Sequence, residues 1–136
     1  MQRVRSLVLL AFSLGVASYA GGVAAHHSIQ AQFDVHKTIM VSGVIAKVEY
    51  INPHSYLTVD VTEPDGSTTR WAFEMAAAGQ LRRAGLSRAD RGGLKAGDEL
   101  TVTAMPARNG STTGLAQILK LTDGREFNFT PDPTSP

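Results

Sequence analysis

The side chains best suited to chemistry in this chain are its four histidines, His26, His27, His36 and His54, all in its first half. Neutral imidazole is the commonest metal ligand, and the sequence contains no cysteine to compete with it. Their spacing matches no recognised zinc signature. His26 and His27 are adjacent, and His54 ends the tripeptide Asn52-Pro53-His54. A carboxylate that can join them is Glu74, in Trp71-Ala72-Phe73-Glu74. It reads first as an ion-pair partner of Arg70 on the same strand face. The alternative is a metal ligand, or a partner that orients His54. His54 itself reads equally as a ligand or as a turn histidine bonded to backbone. His36 stands beside Lys37, a cation that opposes a metal or a second proton, so it reads as a surface residue.

The chemistry of the histidine pair depends on where the chain is cut. Residues 1–25 have the parts of a cleavable export signal: Arg3 and Arg5, an uncharged apolar stretch from Leu7 to Ala20, then Val23-Ala24-Ala25. That stretch is shorter than the roughly 20 residues needed to span a bilayer. Cleavage after Ala25 gives His26 a free α-amine. The amine and its own Nδ1 can chelate one copper ion, with a second imidazole completing a T-shaped set. Cleavage after Ala24 places His27 third, where a terminus can wrap Cu(II) or Ni(II) in a square plane. Both are nitrogen-rich tetragonal arrangements. The plain alternative is a solvated terminus that aids processing.

These residues need a scaffold, and the rest of the chain reads as short alternating strands. Strands are expected over 38–50, with a bend or bulge at Gly43, over 55–62, and over 67–75 after the turn Glu63-Pro64-Asp65-Gly66. In the third, Trp71, Phe73 and Met75 share a face and read as core. Residues 76–84 have helix propensity, with Gly85 as a stop and Ser87 and Asp90 spaced to cap a second turn. Strands follow at 99–105 and 114–121, joined through Arg108-Asn109-Gly110, with a short edge strand at 125–129. Three strands, a helical connection and two strands suit a mainly β fold, a small five-stranded OB-like barrel with the helix between strands 3 and 4. A two-sheet sandwich is the runner-up. The expected division is leader 1–25, N-terminal arm 26–37, barrel 38–129 and a disordered, proline-containing tail 130–136.

Composition narrows the function further. Of 13 basic residues two leave with the leader, so 11 face 12 acidic ones, for a net charge near −1. With no basic run, this argues against nucleic acid as partner and offers no membrane anchor after cleavage. The lack of cysteine excludes a lipobox, disulfides and thiolate sites, and a periplasmic or secreted location is expected. No nucleophile elbow, phosphate loop or HExxH motif is present, so the chemistry points to binding more than to turnover.

Taken together, the chain resembles small exported bacterial proteins grouped as a domain of unknown function, which begin A-H-H-S after the signal peptide. The matching pieces are Ala25-His26-His27-Ser28, Phe33-Asp34 with Lys37, Gly43, Val48, Asn52-Pro53-His54 and Trp71-Ala72-Phe73-Glu74. Leu81-Arg82-Arg83-Ala84-Gly85, Gly97-Asp98, Ala107 with Gly110, and Asp123-Gly124 complete them. The resemblance implies an exported β-barrel-like domain and singles out His26, His27, Asn52, His54, Trp71 and Glu74. It implies no reaction, and His36 is outside its motifs. The expected function is a periplasmic metal-binding module, copper favoured, in contact with a metal ion or a periplasmic protein. The alternatives are a non-metal binding barrel that uses Trp71, Tyr56 and Tyr50 as contact surface, and a metal-dependent enzyme.

Overall fold

A computed structural model describes residues 29–86 and 92–129. The chain divides into two units, Met1–Gln32 and Phe33–Pro136. In the first, residues 29–32 are helical and exposed. The second contains strands β1 (Ile39–Glu49), β2 (Ser55–Thr62) and β3 (Thr68–Met75), helix α1 (Ala78–Arg83), then β4 (Glu99–Pro106), β5 (Thr113–Leu121) and β6 (Glu126–Asn128). The expected leader, the proline-containing tail and the Ser87–Asp90 cap lie outside the described residues.

The strands form a closed five-stranded barrel. β1 pairs antiparallel with β2 and β4, β2 with β3, and β4 with β5, while a short parallel pairing of β3 with β5 closes the ring. β6 adds an antiparallel strand to β5. The expected OB-like order is therefore observed, with the helix between β3 and β4.

β1 makes this closure possible by serving both neighbours at once. Its first half, Ile39–Val44, pairs with β4, and its second half, Val44–Glu49, pairs with β2 through a bulge between Ile45 and Lys47. The crossover brings β2 against Gly43. A Cβ there would lie 2.7 Å from Val59 Cγ1 and closer still to the Asp60 carbonyl oxygen. A hydrogen is the only substituent that fits, which accounts for the bend expected at this glycine.

Inward positions follow the period of two. Leu57, Val59, Phe73, Met75, Ile45, Val102 and Leu119 are buried, and Leu81, Leu86 and Leu94 join them from the helical connection. Helix α1 is shorter than the expected 76–84. Gln80 Oε1 accepts the Ala77 N–H at its start. Gly85, at φ +87°, ends it: its N–H donates to Arg82 O and the Leu86 N–H donates to Leu81 O. These are the paired bonds of a Schellman stop, with Leu81 and Leu86 both buried beside them. Phe33 is also buried and bridges to Ala107, so the segment before β1 is tied to the end of β4.

Gly43→Ala is expected to cost about 2 kcal/mol or more through this overlap, lowering the thermal midpoint by about 10 °C. Circular dichroism melting checks this, and an unchanged midpoint would show that the β1–β2 crossover is not tight.

Candidate functional site

The corner between β1 and β2 is built on a serine. Ser55 is the one fully buried polar side chain among the described residues. Its hydroxyl donates to Ile51 O at 3.3 Å, and its N–H donates to Ala76 O at 3.3 Å. The corner is thereby tied both to itself and to the chain leaving β3. Asn52, Pro53 and His54 are exposed on it, and the Asn52–Pro53 peptide bond is cis. Sequence reasoning did not single out Ser55; its place in the inward row of β2, with Leu57 and Val59, was the signal available.

Register then delivers a carboxylate. Tyr56 lies opposite Glu74, and His54, two residues earlier, is on the same outer face. His54 Nδ1 donates to Glu74 Oε1. The His54 side chain is 47% exposed and that of Glu74 only 14%. In a neutral ring this bond holds the proton on Nδ1, leaving the Nε2 lone pair free to accept a proton or coordinate a metal. A carboxylate behind a histidine also fixes its ring plane.

The expected Glu74–Arg70 pair is not formed, for a geometric reason. Residues four apart on a strand are separated by about 13 Å, whereas residues opposite each other across a ladder are about 5 Å apart at Cβ. Arg70 instead faces Asp60 on β2 and donates to both its oxygens, at 2.7 and 2.8 Å. The guanidinium holds the Asp60 carboxyl below the usual carboxylate range, and Asp60 raises Arg70 in return.

The other candidates are placed apart from this pair. Trp71 is partly buried and packs against the core side, stacked on Phe73 with ring centroids 5.7 Å apart and planes 8° from parallel. It thus occupies the opposite strand face from Glu74. Tyr50 is also partly buried, and burial pushes its phenol up. Of the three aromatics expected as contact surface, Tyr56 is the exposed one. His36 is exposed, and Lys37 beside it pairs with Asp34 at 3.3 Å. His26 and His27 lie outside the described residues. Among the described residues no three His, Asp or Glu side chains form a group able to hold a metal. No helix among these residues is long and apolar enough to cross a membrane.

No curated protein matches the chain significantly. A solved structure similar to it is that of the mitochondrial single-stranded DNA binding protein Rim1 from S. cerevisiae, 12% identical, covering 63% of this chain and 93% of that one, with a TM-score of 0.48. The likeness concerns shape alone. The exclusion of nucleic acid drawn above from net charge does not stand. Net charge sums the whole surface, whereas single strands are held by a local groove and stacking side chains, so a near-neutral total excludes nothing. The family model of DUF6152, a family of unknown function, matches residues 13–117, which include the NPH corner, the WAFE strand and the barrel closure. The chain belongs to the DUF6152 family.

Proposed function

We propose that this protein is an exported periplasmic module that binds a transition metal, copper above all, through His26 and His27, with His54 as the barrel's imidazole donor. The observation that carries the reading is the His54–Glu74 bond, which engages Nδ1 of an exposed ring and leaves Nε2 as its remaining nitrogen. The lack of competing thiols and the amine released next to the histidine pair by cleavage support it. Imidazole and amine nitrogens favour Cu(II) over oxygen-seeking cations. The function is capture and delivery of the ion, and no catalytic step is assigned.

A second reading, a barrel that binds a non-metal ligand, draws on Tyr56, exposed between Glu49 and Glu74 across the sheet. The two are separated by direct measurement. Native mass spectrometry of the protein recovered from a periplasm should show loss of 24 or 25 residues and one bound copper. In Cu(II) titrations of the purified protein, His26→Ala with His27→Ala should lower affinity at least about a hundredfold. Glu74→Ala should lower His54-dependent binding about ten- to a hundredfold. Equal affinity in the double histidine variant would end the metal reading.

The orientation of His54 has its own readout. Long-range ¹⁵N NMR of the metal-free protein should find neutral His54 protonated on Nδ1, and Glu74→Ala should lose that preference. A ring protonated on Nε2 in the parent protein would remove His54 as an outward donor.

A further inference from the structure

A cavity of about 300 Å³ opens on the outer face of the barrel where β1 passes between β2 and β4. It is separate from the His54–Glu74 corner, and register dictates its contents. Val44 is paired with Asp60 of β2 on one side and with Glu99 of β4 on the other. The three side chains form one row: carboxylate, valine, carboxylate. The next row carries hydroxyls. Ser42 faces Thr101, their oxygens 2.8 Å apart, and Thr62 and Thr122 complete the lining.

The two carboxylates are not equivalent. Asp60 is held by two nitrogens of Arg70, so its charge is already matched. Glu99 is exposed, and among the described residues its side chain makes no ion pair or hydrogen bond. Asp98 and Asp123 line an adjoining cavity that shares Glu99 and Thr122, where Asp123 is paired with Arg125 at 2.7 Å and Asp98 adds to the negative potential. Val44, 40% exposed, supplies an apolar patch between the acids. Among the described residues the cavity thus presents one unmatched carboxylate, several hydroxyls able to donate and accept, and a small hydrophobic surface. Its volume is at the lower end of the range for small-molecule sites, about 300–1,000 Å³.

We propose that this cavity binds a small hydroxylated amine the size of one sugar ring. The ammonium group pairs with Glu99, ring hydroxyls bond to the Ser42–Thr101 and Thr62 side, and the C–H face of the ring rests on Val44. A charge-assisted bond at Glu99 sets the preference for an amine over a neutral sugar.

The test is an amide NMR titration of the purified protein with D-glucosamine, and in parallel with D-glucose, with chelator present so that metal plays no part. D-glucosamine should shift the amides of residues 42–44, 60–62, 99–101 and 122, and bind more tightly than D-glucose. Glu99→Gln should weaken it about tenfold with the spectrum otherwise unchanged, and Thr62→Val should weaken both sugars. No shifts, shifts centred elsewhere, equal binding of the two sugars, or undiminished binding by Glu99→Gln would each overturn the proposal.

Discussion

At Val44 the barrel depends on a single point of the chain being paired from both sides. Asp60 approaches it from β2 and Glu99 from β4, so the two halves of β1 belong to ladders that run on in different directions. A strand that changes partners must coil sharply, and the coil presses Gly43 onto the backbone of β2. The bulge after Ile45 absorbs the remaining mismatch. Everything downstream follows from this junction. It sets the register of β2, hence of β3, and hence which residues of β3 meet β5 to close the ring.

The same register creates the oriented histidine. Ser55 faces inward and its bonds hold the corner, so His54 sits just outside the first ladder pair, within reach of Glu74. The pairing is conservative in design: one residue from a loop and one from a strand, held by a third that is buried. On a loop whose base is rigidly tied, the scaffold rather than the loop fixes a side chain's position.

Charge on the outer face is organised by ion pairs both along and across the strands. Lys47 pairs with Glu49 at 2.8 Å, Arg70 with Asp60, and His54 with Glu74. Exposed pairs of this kind add little to stability, so their main effect is to decide which groups remain available to a ligand. Among the described residues Glu99 is left over by that arrangement, as is the Nε2 of His54. Membership of the DUF6152 family and an OB-like barrel do not choose between such sites, because one architecture hosts many functions.

The sequence by itself determined the local structure. Alternation in 55–62, the turn at Glu63–Gly66, the helix stop at Gly85 and the bend at Gly43 are written in neighbouring residues, and each is found within a residue or two of its expected place. The NPH corner and Glu74 were also legible as candidates, because residue types that bind ions are few. Partnership was not legible. Arg70 and Glu74 look like a pair along one strand, yet the contacts that form are Arg70 with Asp60 and His54 with Glu74. Likewise the row Asp60–Val44–Glu99 joins residues from three separate segments. The reason is distance: in a sheet, neighbours along the strand on one face are about 7 Å apart and point in parallel, while the nearest side chains lie across the ladder. Which residues face each other is decided only when the strands pair.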